Sequence, residues 1–125
     1  MDNQSSKTIL LVDDDDSFRV LVSHLLKREG YNVVNAANGY DALEYLKKNP
    51  ILPSLILLDL RMPVMDGWHF RTIQKADPRL NSIPVIVITS LNTMEDDVVS
   101  IQAAAYCRKP IEGDILLKTI RDHCS

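Results

Sequence analysis

The sequence predicts an α/β protein, a five-stranded parallel sheet with helices on both faces. Three observations predict it. Short apolar runs recur along the chain, with helical patterns between them. Several of those runs stop abruptly at a polar or charged residue. No repeat, low-complexity stretch or linker divides the 125 residues, so 1–125 is expected to form one domain.

Residues 1–7 are polar and are expected to be a flexible N-terminal segment. The first run, TILLV at 8–12, stops at four aspartates, Asp13 to Asp16. Phe18, Leu21, Val22, Leu25 and Leu26 then recur at helical spacing and predict one apolar face. Gly30 suits the position just past that helix. NVVNA at 32–36 predicts a second strand, Asn38-Gly39 a turn, and 40–48 a helix with Ala42, Leu43 and Leu46 inward. Pro50 and Pro53 end it.

LILL at 55–58 predicts a strand buried on both faces, and it stops at Asp59. Pro63 cannot continue a central strand, and Asp66-Gly67 is a turn signal. A helix over 68–76 ends before Pro78. VIVI at 85–88 stops at Thr89-Ser90. Thr93 can cap a fourth helix whose first turn, Glu95-Asp96-Asp97, is acidic. A weaker strand is expected over 103–107, ending at Lys109-Pro110, and a last helix over 112–123.

The order is β-α five times. Right-handed crossovers and one change of winding direction give the flavodoxin-like strand order 2-1-3-4-5. Ligands of such sheets bind outside the carboxyl ends of the strands, where strands 1 and 3 are central neighbours. That edge collects Asp13 and Asp14 after the strand at 8–12, Asp59 after 55–58, Thr89 after 85–88 and Lys109 after 103–107.

Composition excludes several function classes. Apolar content of 46% and charged content of 25% are ordinary for a globular protein. No apolar run is long enough to span a membrane, and the first residues have no signal-peptide core. Two cysteines, Cys107 and Cys124, make neither a disulfide framework nor a metal cluster, and a cytoplasmic, reduced setting fits them. A net charge of −3 without a basic tract gives no basis for direct nucleic-acid binding.

The plain alternative for Asp59 is a loop cap, and for the four aspartates a helix cap with a solvated charge run. Capping accounts for Asp15 or Asp16. It does not account for Asp13 and Asp14 beside Asp59. Two carboxylates about 4 Å apart repel by roughly 4 kcal/mol at an effective dielectric near 20. Oxygen ligands without His or Cys point to Mg²⁺ or Mn²⁺. Lys109 and Thr89, each usually a surface or turn residue alone, here flank a carboxylate and a cation. That set suits phosphoryl transfer to Asp59, with Lys109 and Thr89 gripping phosphoryl oxygens.

The stretches VDDDDSF (12–18), LILLDLRMPVMDG (55–67), VITS (87–90) and YCRKP (106–110) resemble the signatures of the response-regulator receiver domain of two-component signalling. The resemblance covers nearly the whole chain. It implies that Asp59 is the phosphoacceptor, with Asp13 and Asp14 the acidic pair for Mg²⁺ and the Arg61 carbonyl a further ligand. It also implies that Thr89 is the switch hydroxyl, Lys109 the site lysine, and Tyr106 the aromatic that turns inward on activation. The Lys109-Pro110 bond is expected to be cis. Implied partners are a histidine kinase or phosphotransfer protein and a downstream protein target. A stand-alone, chemotaxis-regulator-like receiver is expected, or one severed from a longer chain.

Three features depart from the family pattern. The segment from 89 to 106 is two or three residues short, and Gln102 stands where Gly is usual. Asp15-Asp16 extends the acidic pair. Arg61 occupies a variable position beside the phosphoryl site. Among rivals, an aspartyl phosphatase typically has a second acid where Arg61 stands. A flavin site lacks its phosphate loop here. A degenerate receiver used as a scaffold would not need all five site positions filled.

Overall fold

The computed structural model describes residues 7–90 and 101–124. The five strands are β1 (Thr8–Val12), β2 (Asn32–Ala36), β3 (Leu55–Leu58), β4 (Val85–Thr89) and β5 (Ala105–Arg108). The described helices are α1 (Asp16–Arg28), α2 (Gly39–Lys48), α3 (Gly67–Ala76) and α4 (Gly113–His123). The helix expected after Thr93, and all but Lys7 of the expected N-terminal segment, lie outside the described residues. All four strand pairings are parallel, and the order is β2-β1-β3-β4-β5, as expected.

Side chains alternate across a strand, so each central strand feeds two cores. Leu10, Val12, Ile56, Leu58, Val85 and Val87 pack with Leu46 of α2 and Phe70 of α3. Ile9, Leu11, Leu55, Leu57, Ile86 and Ile88 pack with Leu26 of α1 and Leu116 and Ile120 of α4. Burying one such side chain stabilises by about 1.5–3 kcal/mol relative to leaving it exposed. Gln74 is fully buried in α3, but its amide donates to the carbonyls of Leu80 (3.0 Å) and Ile83 (3.1 Å). That pairing avoids the desolvation penalty of an orphaned amide.

Helix ends follow local chemistry. Asp15 caps α1 by accepting from Phe18 N–H (3.1 Å). Gly30, at φ 94°, ends it: Gly30 N–H donates to Lys27 O (3.0 Å) and Tyr31 N–H to Leu26 O (3.1 Å). This is the paired-bond terminus that favours glycine. Asn49 and Asp77, each before a proline, end α2 and α3 in extended conformation.

Several details differ from expectation. Asn38-Gly39 is a helix start, with Asn38 Oδ1 accepting from Asp41 N–H (2.8 Å) and Gly39 already helical. Leu21, read as inward, is 66% exposed. Helix α1 is rolled toward β2, where Ser23 is buried and bonds Asn35 (3.2 Å). Strand β5 begins two residues later than expected. Gln102 has φ 56°, which costs a non-glycine residue roughly 1–2 kcal/mol. Arg71 offsets that cost by donating to the carbonyls of Ile101 (2.9 Å) and Gln102 (2.8 Å), and Lys75 bonds the Gln102 side chain. Only after this turn does Ala104 N–H reach Val85 O (2.8 Å) and start the ladder.

Candidate functional site

The carboxyl ends of β1, β3, β4 and β5 present the expected residues at one edge. Asp13 N–H donates to Ala36 O (3.0 Å) and Asp59 N–H to Val12 O (2.9 Å), so both acids are fixed by the sheet itself. Asp13 and Asp59 are buried, and Asp14 is exposed. One oxygen from each of Asp13, Asp14 and Asp59 falls within a set whose members lie within 4.8 Å of one another. The donors are all hard oxygens, which fits a small divalent cation such as Mg²⁺.

Lys109 enters from the far end of β5. Its ammonium lies 2.7 Å from Asp13 Oδ2 and 3.9 Å from Asp59 Oδ2. Asp13 Oδ1 accepts from Asp15 N–H (2.9 Å), and Asp59 Oδ1 accepts from Leu60 N–H (2.8 Å). The Asp59 carboxyl is nonetheless pushed up to about 6, first by burial and then by the Asp13 charge. Lys109 and the Leu60 N–H pull the other way. A carboxylate whose charge is disfavoured by burial and a neighbouring acid is one that a cation beside it would favour.

Strand alternation divides these residues. Continued past the strand ends, it puts Asp13, Asp59 and Lys109 on the α1/α4 side, because Leu11, Leu57 and Cys107 face that side. Thr89 and Tyr106 belong to the other side, with Val87, the register partner of Tyr106. Thr89 is buried, and its carbonyl accepts from Lys109 N–H (2.9 Å). Tyr106 is 42% exposed, and its hydroxyl accepts from Ala103 N–H (2.9 Å). The Lys109-Pro110 bond is cis, as expected.

Arg61 is exposed. It lines an open cleft of about 470 Å³ with Asp14, Met62, Pro63, Asp66 and Trp68. Beside it the loop after β3 makes a tight turn at Val64 (φ 69°), where Met65 N–H donates to Pro63 O (2.7 Å). Gly67 closes the loop with its N–H on Leu60 O (2.8 Å). A Cβ at Gly67 would lie 2.5 Å from Asp59 O, so the site tolerates no side chain there.

The model of the response regulator receiver domain matches residues 9–121. The chain belongs to the response regulator receiver domain family. This receiver domain is 36% identical over 117 residues to the transcriptional regulatory protein AfsQ1 of Streptomyces coelicolor, covering 91% of this chain and 49% of that protein. It is 30% identical to the sensor histidine kinase CheAY of Helicobacter pylori, over 94% of this chain and 15% of that one. It therefore spans half or less of these relatives. Among solved structures, it is similar to the signal receiver domain of a histidine kinase from Syntrophus aciditrophicus, with TM-score 0.86 and 30% identity over 95% and 90% of the two chains. It is also similar to the chemotaxis response regulator CheY4 of Vibrio cholerae, with TM-score 0.83 and 31% identity over 93% and 97%. Receiver domains are the phosphoacceptor family of two-component signalling, and act as switches rather than as classical enzymes. No helix among the described residues of this chain is long and apolar enough to cross a membrane.

Sequence reasoning missed two members of this receiver site. Arg19 donates to Asp13 O (2.5 Å) and bonds Asp16, so a cation braces the acidic turn from α1. Its spacing three residues after Asp16 was the available signal. Phe18 is expected on an apolar face and at the end of the VDDDDSF stretch, yet the Lys109 ammonium lies 4.1 Å from its ring centroid. No sequence pattern links positions 18 and 109.

Proposed function

We propose that this receiver domain accepts a phosphoryl group on Asp59 from a histidine kinase or phosphotransfer protein and thereby changes the surface it offers a downstream protein. The observation that carries this reading is the placing of buried Asp59 among two acids and one ammonium. Leu60 N–H holds Oδ1, which leaves Oδ2, on the Lys109 side, to attack phosphorus. As the new O–P bond forms, the bond from phosphorus to the donor breaks, and its electron pair leaves with the donor's nitrogen or oxygen. Lys109 offsets charge on the phosphoryl oxygens, and the Thr89 hydroxyl donates to one of them. Asp13, Asp14, Asp59 and the Arg61 carbonyl would hold Mg²⁺ or Mn²⁺, which when bound neutralises charge between nucleophile and phosphoryl group. Arg19, by gripping Asp13 O, keeps the acidic turn in place.

The test is incubation with acetyl phosphate and Mg²⁺ followed by intact mass. One phosphate should add to the wild type, in a base-labile bond, and none to Asp59→Asn. Equal labelling of the two proteins would sink the assignment.

A further inference from the structure

We propose that Phe18 is a positioning residue for phosphoryl transfer: its ring is the seat that keeps the Lys109 ammonium at the site. This rests on the function proposed above. Among the described residues the ammonium has three neighbours: it bonds Asp13 Oδ2 at 2.7 Å, approaches Asp59 Oδ2 at 3.9 Å and lies 4.1 Å from the centroid of the Phe18 ring. Both carboxylates have other duties in the reaction. Asp13 is one of the three acids that converge on the cation position, and Asp59 is the nucleophile. When they turn to those duties, the ring is the contact that remains.

The choice of an aromatic follows from what the site needs. A third carboxylate would hold Lys109 but cancel the charge that the phosphoryl oxygens require. An aliphatic side chain would leave the ammonium to water. A ring face attracts a cation through its quadrupole while accepting no proton and neutralising nothing.

The chain fixes the ring independently of Lys109. Phe18 sits in the first turn of α1, where its N–H donates to the capping Asp15 (3.1 Å). Its side chain packs against the core between α1, α4 and the sheet. Lys109 is anchored from the other end, through its N–H on Thr89 O (2.9 Å). Its side chain is only 18% exposed. Both sides of the contact are therefore held by backbone bonds and packing, and the lysine side chain is mostly buried between them.

The test keeps the shape of the ring and changes its electronics. The full chain is made with phenylalanine, 4-fluoro-, 3,5-difluoro- or 3,4,5-trifluorophenylalanine at position 18. Phosphorylation by acetyl phosphate is then timed at saturating Mg²⁺. The rate should fall stepwise with fluorine count, by about two- to fivefold at the trifluoro ring, with Tm and Mg²⁺ affinity unchanged. Phe18→Tyr should keep the wild-type rate, and Phe18→Leu should fall to the trifluoro level. The fluorinated series decides the matter even where Phe18→Leu folds poorly. A phosphorylated wild type with a flat rate across the series overturns this inference alone. A wild type that takes no phosphoryl group overturns the functional reading and this one with it.

Discussion

The Lys109 ammonium is bonded to Asp13, at 2.7 Å, and only approaches Asp59, at 3.9 Å. The lysine therefore pairs with an acid proposed to hold the cation rather than with the proposed nucleophile. A metal held by Asp13 would compete with Lys109 for that carboxylate, and cation binding and lysine placement would then be coupled.

This coupling separates the two acids of the pair. Asp13 is buried and paired, so Asp13→Asn should destabilise the metal-free protein by weakening the bond to Lys109. Asp14 is exposed and adds only like charge, so Asp14→Asn should leave the metal-free protein as stable or slightly more so. Both variants should bind Mg²⁺ more weakly. In the wild type Mg²⁺ should add about 2.7 kcal/mol at 100 times its Kd. Thermal melts in EDTA and in Mg²⁺ measure all of this. A wild-type midpoint that Mg²⁺ leaves unmoved means that there is no metal site here.

The raised Asp59 carboxyl makes the metal-free protein sensitive to pH. The folded state holds this proton up to about pH 6, whereas the unfolded chain releases it near 3.8. Between those values the folded state binds more protons, so this group's contribution to stability falls as pH rises. The full loss, on the order of 2–3 kcal/mol, is reached above pH 6. Asp59→Asn cannot ionise and should escape it. Urea melts in EDTA from pH 4.5 to 7.5 should therefore show the variant gaining on the wild type through that window. A difference that stays constant with pH would show that Asp59 titrates normally.

Phosphorylation should reach Tyr106 through Thr89. Movement of Thr89 toward the phosphoryl group opens space on the α2/α3 side, where alternation puts Tyr106. Turning inward breaks the bond in which Tyr106 accepts from Ala103 N–H. Two packings biased by a local charge make a switch of this kind. Amide spectra with and without beryllofluoride should show large shifts at Ala103 and through the segment 90–104. Changes confined to α1 and α2 rule the route out.

Arg61 should govern how long the phosphoryl group lasts. Hydrolysis needs water in line behind phosphorus, and Arg61 is exposed on the cleft beside the site. Asp15 caps α1 and Asp16 pairs with Arg19, so those acids are already engaged. A guanidinium over the cleft shields phosphorus and offers water no base. Arg61→Asn should speed autodephosphorylation severalfold, with little change in Mg²⁺ affinity, since the carbonyl would be the ligand there. Single-turnover decay of the two phosphorylated proteins measures it. Equal decay rates place Arg61 away from the reaction.

Local pattern in the sequence was enough to read the five strands, four of the helices, and the acids and lysine at the sheet edge. Apolar runs, turn residues and proline stops are near-neighbour effects, and a parallel sheet sends every strand's carboxyl end to one side. Asp13, Asp14, Asp59, Thr89 and Lys109 were legible for that reason. Contacts across long separations were decided only by tertiary structure. Lys109 bonds Asp13, 96 positions away, at 2.7 Å and stands 3.9 Å from Asp59, a choice no local pattern encodes. The ring under Lys109 and the roll of α1 that exposes Leu21 depend on how the helix settles on β2. The late start of β5 follows from Arg71 fixing the backbone of Gln102, 31 positions away. Side-chain periodicity says which face a residue takes, but packing of two faces against each other decides what it touches.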